Sequence, residues 1–229
     1  GARVGVDGRD EVAALGRAMD AMAGSLADRL EREQRFVADV AHDLRTPLTG
    51  LVTAVELLPD GRDAETVRRG VARLRALVED LLEVARLDAG AEEPDARPVD
   101  LGRLVRGVAV RHPGTVVLDH PPLIARVDPR RLERILENVL ANAGKHGAPP
   151  VEIELGTRPG AHRIAIRDHG PGFPPELLAD ATRRFATGDA SRSRGTGLGL
   201  AIAEGQAGVL GGTLVVGNAP GGGALIVVA

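Results

Sequence analysis

Leu30, Val37, Leu44, Leu51 and Leu58 recur every seven residues, and Ala41, Leu48 and Val55 fill the companion stripe four residues on. A repeat of that period lays one apolar seam along a helix and commits it to pairing with other helices. The stretch FVADVAHDLRTPLTGLVTAVELL over 36–58 therefore reads as one long bundle helix. His42 stands outside the seam. At about 100° per residue it projects roughly 140° from the stripe's centre, toward solvent, with Asp43 beside it and Thr46 one turn on. An exposed imidazole flanked by a carboxylate is available to a reagent. Pro47, five residues later, removes an intrahelical hydrogen bond, and a kink is expected there.

Pro59-Asp60-Gly61-Arg62-Asp63 then breaks the helix by turn chemistry. A second helix is expected from about Ala64 to Asp88, with Val67, Val71, Leu74, Val78, Leu81 and Ala85 on one stripe. Two long helices joined by a short loop make an antiparallel hairpin, and each carries more apolar face than one partner covers. A homodimer closing a four-helix bundle is the expected remedy. Upstream, Val12, Leu15, Met19, Met22 and Leu26 predict an amphipathic helix over 8–26. Its phase would need an apolar residue at 33, which is Glu33; the strong series restarts at 30, a slip of four that locally unwinds a coiled coil.

The segment AGAEEPDARP over 89–98 reads as a Gly/Pro/acidic linker, and beyond it the pattern turns to mixed helix and strand. Helices are predicted at 101–111 behind an Asp100 cap, from Asp128-Pro129 to about Lys145, and at 197–210. Strands are predicted at 115–118, 123–127, 151–155, 162–167, 213–216 and 224–228. That order fits an α/β sandwich, a mixed sheet with helices on one face. The fold class is therefore multidomain, a helical hairpin followed by an α/β unit, within 229 residues. The absence of cysteine excludes disulfides and thiolate chemistry. With three Phe and no Tyr or Trp, the core must be Leu, Val, Ile and Ala. A net charge of −3 with mixed signs gives no reason to expect a nucleic-acid partner. No apolar run reaches the roughly 18 residues of a membrane span, so the chain as given is expected to be soluble.

Three further clusters carry chemistry. Asn138 and Asn142 sit one turn apart on a predicted helix that ends in Lys145, the only lysine, and His146. Asn is a poor helix former, so a pair at that spacing asks for a reason, although either alone reads as a surface residue bonding back to its helix. Asp168-His169-Gly170-Pro171-Gly172 follows a strand directly. Gly195-Thr196-Gly197-Leu198-Gly199-Leu200 opens a helix, where backbone N–H groups and the helix dipole favour an anion. It is neither a Walker loop nor a dinucleotide fingerprint, since no G-K-[ST] follows and the glycine spacing differs. His112, His120 and His162 flank predicted turns or strand ends and have no metal-ligand spacing.

Together these stretches carry a resemblance. His42-Asp43-Leu44-Arg45-Thr46-Pro47-Leu48 resembles the phosphoacceptor box H-[ED]-x-R-[TN]-P-L of sensor histidine kinases. The Asn138–His146 stretch, the D-x-G-x-G at 168–172 and the glycine box at 195–200 resemble, in the family's order, the nucleotide boxes of the GHKL ATPases. The resemblance implies ATP and Mg²⁺ as cofactors, with Mg²⁺ on Asn142 assisted by Asn138, Lys145 toward phosphate and His146 against the nucleotide. It assigns adenine to Asp168, Gly170 and Gly172, and phosphate to Gly195, Thr196, Gly197, Leu198 and Gly199. Autophosphorylation of His42 is implied, with Asp43 as base or polariser and transfer to an aspartate of a response regulator receiver domain. Thr46 resembles the residue that positions water for dephosphorylating that regulator, and Arg45 either neutralises phosphate or is simply solvated. The loop around Arg184 and Phe185 resembles the family's phenylalanine box, but Thr182 and Ala186 stand where aromatics are usual. With Gly205 and Gly208 interrupting the last helix, a loosely held nucleotide lid is expected. Asp10-Glu11 with Leu15 and Met22 resembles the second helix of a HAMP module, implying an upstream membrane sensor region and a cytoplasmic place for this part. The expected division is 1–29 HAMP, 30–90 dimerisation and phosphotransfer, 91–98 linker, 99–229 ATP binding. The competing expectation is a nucleotide-binding dimeric scaffold, or a phosphatase-biased protein with weak kinase activity.

Overall fold

A computed structural model of the chain describes residues 15, 18, 19, 21, 22, 24, 44, 47–59, 61–90, 93–118, 121–158, 161–184 and 196–229. The described positions between 15 and 24 are helical, and Leu15, Met19 and Met22 are exposed. Helix α1 (47–56) buries Leu48 and Val55 of the companion stripe. Across the turn, Arg68 Nη2 donates to the Leu58 carbonyl at 2.7 Å. Helix α2 (Arg62–Ala89) is continuous, with Asp63 and Glu65 in its first turn and Arg86 in its last, each suited to the helix dipole. Gly90, at φ 63°, ends it in the left-handed conformation.

Which face α2 buries is informative. Val67, Leu74 and Leu81 of the predicted stripe are each 45% exposed, whereas Leu82 and Val84 are buried. Val84 packs with Leu198 and Ile202 of the second unit, and Leu77 and Leu87 lean against them. One face of α2 therefore serves the second unit, and the seven-residue seam stays uncovered in the single chain.

The second unit runs β1 (Arg97–Asp100), α3 (Leu101–Ala109), β2 (Thr115–Val117), β3 (Ile124–Val127), α4 (Pro129–His146), β4 (Val151–Arg158), β5 (Ala161–Arg167), α5 (Pro175–Leu178), α6 (Gly199–Val209), β6 (Leu214–Asn218) and β7 (Ala224–Val228). Its main sheet has the order β2-β4-β5-β7-β6, with β2 parallel to β4 and the other neighbours antiparallel. Alternate residues Val151, Ile153 and Leu155, Ile164 and Ile166, and Ile226 and Val228 point to one face. There they share a core with Val105 and Val108 of α3, Ile135, Leu136, Val139 and Leu140 of α4, and Ala203 and Ala207 of α6. Each such large side chain contributes roughly 1.5–3 kcal/mol by leaving water.

Two elements have no counterpart in the sequence reading. β1 pairs antiparallel with β3 in a separate two-stranded sheet, so β3 also lies outside the main sheet. Arg97-Pro98-Val99-Asp100 shows no apolar alternation, and only its partner makes it a strand. The short α5 is likewise unannounced. Both expected caps form: Asp100 accepts from Arg103 N–H at 2.9 Å, and Asp128 from Arg130 N–H at 3.0 Å. Asp128 also accepts from Asp95 N–H at 3.1 Å, fastening the segment before β1 to the start of α4. Burial pushes this carboxyl up, but its backbone donors and Arg130 outweigh that and hold it below the usual carboxylate value.

Candidate functional site

Helix α4 carries the asparagine pair, with Asn138, Asn142 and Lys145 on one flank. Both asparagines are half-buried; Lys145 and His146 are exposed. Asn138 Nδ2 donates to the Arg134 carbonyl at 3.0 Å, leaving Oδ1 toward the start of α6, where a Cβ on Gly199 would lie 3.3 Å from it. At the C-terminal end of α4, a Cβ on Gly147 would come within 2.6 Å of Asp168 Oδ2. From Asn138 to Gly147 is roughly 13 Å along the axis at 1.5 Å per residue. A single helix thus links both glycine-rich clusters, with Asn142 between them.

The 168–172 loop is fixed from both sides. Asp168 is buried, and its Oδ1 accepts from Gly170 N–H at 2.9 Å and Ala224 N–H at 3.1 Å. Neither bond uses Oδ2. Downstream, the Asn218 amide grips Phe173: Oδ1 accepts from its N–H at 2.7 Å and Nδ2 donates to its carbonyl at 2.9 Å. Gly172 has φ 74°, and a Cβ there would lie 2.6 Å from Asn218 Oδ1. Gly223 is closer still, since its Cβ would fall 1.9 Å from the Asp168 carbonyl oxygen. Gly147, Asn218 and Gly223 escaped the sequence reading, although the run Gly221-Gly222-Gly223 was a visible turn signal.

The second cluster is held differently. Thr196 Oγ1 donates to Asp80 Oδ2 at 3.1 Å and accepts from Leu198 N–H at 3.3 Å. Asp80 belongs to α2. Its Oδ1 accepts from Arg134 Nη2 at 3.0 Å, and Arg134 Nε donates to Glu83 at 2.8 Å. Burial alone would lower the Arg134 pKa, but Glu83 and Asp80 outweigh it and raise it. Gln206, itself buried, donates to Glu83 at 2.8 Å and accepts from Arg131 at 2.7 Å. Arg184 pairs with Asp88, also on α2. A cleft of about 460 Å³ opens between the hairpin and this unit, lined by Leu48, Val78, Leu82, Arg134 and Gln206 among others. Asn142 and Asp168 do not line it.

An interruption of the last helix is expected at Gly205. Instead α6 continues through it, and a Cβ there would stand 2.9 Å from Leu87 Cδ1. The bare glycine leaves room there for the Leu87 side chain of α2. His112 is structural: its Nε2 lies 2.6 Å from Glu137, which also pairs with Arg111 at 2.6 Å. Burial raises the Glu137 pKa, but these two partners lower it further, leaving it below the usual value. Among the described residues no group of three His, Asp or Glu is placed to hold a metal, and no helix is long and apolar enough to cross a membrane. His42, Asp43, Arg45, Thr46, Phe185 and Gly195 lie outside the described residues, as does most of the expected lid.

Residues 32–90 match the His Kinase A (phospho-acceptor) domain, and residues 127–229 match the family of histidine kinase-, DNA gyrase B-, and HSP90-like ATPases. The chain belongs to the sensor histidine kinases. Among its relatives, sensor protein CseC of Streptomyces avermitilis is 52% identical over 212 residues, 92% of this chain and 43% of that protein. The histidine-protein kinase AfsQ2 of Streptomyces coelicolor is 37% identical over 254 residues, 97% of this chain and 48% of that protein. Among solved structures, full-length ShkA in complex with AMPPNP superposes with a TM-score of 0.69 at 30% identity, over 84% of this chain and 44% of that one. The chain thus spans less than half the length of these proteins.

Proposed function

We propose that this chain autophosphorylates on His42 and passes the phosphoryl group to an aspartate of a response regulator receiver domain. The supporting observation is the α4 flank: Asn138 against the glycine box, Asn142 between, and Gly147 against Asp168, over about the length of a mononucleotide. Asp168 Oδ2 is the acceptor for the adenine amino group, with Gly170 and Gly172 allowing the backbone close to the ring. Thr196, Gly197, Leu198 and Gly199, with Gly195, take the phosphates; Lys145 reaches toward phosphate, His146 lies against the nucleotide and Phe185 belongs to the loop that covers it. Half-buried Asn142 and Asn138 would hold Mg²⁺ through their hard amide oxygens. Bound there, the ion would supply neutralisation of the charge on the transferring phosphoryl group.

In the transfer, a neutral ring nitrogen of His42 attacks the γ-phosphorus, the bond to the bridging oxygen breaks, and ADP leaves. Asp43 takes up or polarises the proton at the other ring nitrogen, Arg45 faces the phosphoryl charge, and Thr46 positions water for dephosphorylating the regulator. The uncovered seam of Val67, Leu74 and Leu81 supports a homodimer. We assign 1–29 to a HAMP module, 30–90 to dimerisation and phosphotransfer, 91–98 to a linker and 99–229 to ATP binding. The chain then works on the cytoplasmic side of a membrane sensor.

The test is incubation with γ-labelled ATP and Mg²⁺ beside His42→Gln. Acid-labile, alkali-stable label in the parent and none in the variant is expected. An unlabelled parent that still binds ATP would replace this reading with the scaffold or phosphatase-biased one.

A further inference from the structure

The glycine box is held from outside its own unit. Thr196 carries one hydroxyl proton, and that proton is donated to Asp80 Oδ2 of α2. The same hydroxyl oxygen receives the Leu198 N–H, a backbone donor of the box. With α2 docked, two donors of the box are engaged on one chain of hydrogen bonds that ends in a carboxylate. The other oxygen of that carboxylate is fixed by Arg134, whose carbonyl in turn receives the Asn138 amide. Asp80 therefore sits where the asparagine helix and the glycine box meet. The docking is built in: Gly205 clears space for Leu87, and Leu198, two residues after Thr196, is fully buried against Val84 and Ile202. Asp88 repeats the chemistry by pairing with Arg184.

We infer that Asp80 is a positioning residue of the phosphate half of the nucleotide site, acting through Thr196 as a stand-in anion. The inference rests on the nucleotide reading of the glycine box. A hydroxyl has one proton, so Thr196 serves Asp80 or a phosphate oxygen and not both at once. A bound phosphate also meets the negative charge of Asp80 at close range. Docking of α2 and binding of the nucleotide's phosphates therefore oppose each other, and by linkage each weakens the other by the same factor. Adenosine lacks the phosphates and does not enter that competition.

The experiment compares ADP with adenosine in the whole chain, by titration calorimetry in Mg²⁺ buffer. Asp80→Ala is expected to bind ADP about fivefold or more tightly than the parent, with adenosine affinity unchanged. The near-isosteric Asp80→Asn removes the charge while filling the same space, and is expected to shift ADP binding the same way by a smaller factor. Thr196→Val weakens ADP in the parent, and adding Asp80→Ala to it changes ADP affinity less than twofold. Unchanged or weaker ADP binding by both Asp80 variants would overturn the proposal. So would an equal shift for adenosine, which marks a general rearrangement, or an Asp80→Ala effect that persists in full without the Thr196 hydroxyl. A parent that binds neither ligand would instead remove the nucleotide reading on which the proposal stands.

Discussion

The two halves of the proposed nucleotide site are built on different plans. The base half is closed upon itself: Asp168 is tied to Gly170 and Ala224, and Phe173 to Asn218, all within one sheet unit. The phosphate half is finished by a neighbour, because Thr196 is anchored on Asp80 and Leu198 is buried against Val84 of the hairpin. Base recognition is therefore set once the α/β unit folds, while phosphate engagement depends on where α2 stands. A signal that moves the hairpin reaches only the second half.

Asp168→Asn should break the contrast most forcefully. It removes the acceptor proposed for the adenine amino group, and adenosine and ADP should both bind at least about a hundredfold more weakly. A loss confined to ADP would contradict the assignment of halves. Asn218→Ala should act on the same half more gently. Losing both bonds to Phe173 loosens the loop by about 1–2 kcal/mol, roughly tenfold in affinity for either ligand. In autophosphorylation assays that should raise KM for ATP and leave kcat at saturation nearly unchanged; a matching fall in kcat would give Asn218 another role.

Gly205→Val tests the other half without touching a polar group. Its side chain meets Leu87, and overpacking of this kind costs about 1–3 kcal/mol, borne here by the docked arrangement. ADP should bind a few-fold more tightly and adenosine as before, while equal affinity for ADP would show that docking and phosphate binding are independent. The smallest effect belongs to Glu137→Gln, which touches neither half. His112 and Arg111 hold the Glu137 carboxyl below its ordinary value, so its stabilisation is complete above that ordinary value. It is lost as pH falls through the lowered one. The variant should melt a few degrees below the parent at neutral pH, with the gap closing in acid; a gap independent of pH would mean that packing, not charge, sets it.

How much of this was legible in the sequence follows the same divide. The α4 cap at Asp128-Pro129 and the strands expected at 151–155 and 162–167, which run Val151–Arg158 and Ala161–Arg167, came from local patterns that their own residues determine. The first glycine cluster was legible too, because D-x-G-x-G is contiguous. Asn218 was not, since its partner lies 45 residues away. No pattern in the sequence marks Asp80 or Glu83, and Gly205 reads as a defect, because only packing between units gives these residues work. Arg97-Pro98-Val99-Asp100 failed for a similar reason: its strand state comes from β3 and not from its own alternation.

The bond from Asp95 N–H to Asp128 has a further consequence. It pins the connecting segment at the start of α4 only five residues after Gly90, where α2 ends. Five residues fully extended reach at most about 17 Å. The α/β unit hangs from the hairpin on a tether shorter than its own diameter, fastened beside the helix that carries Asn138 and Asn142. Freed from Asp80, it is left with a pivot about the foot of α2 and no wide excursion, so a docked and a released unit stay within one short swing of each other.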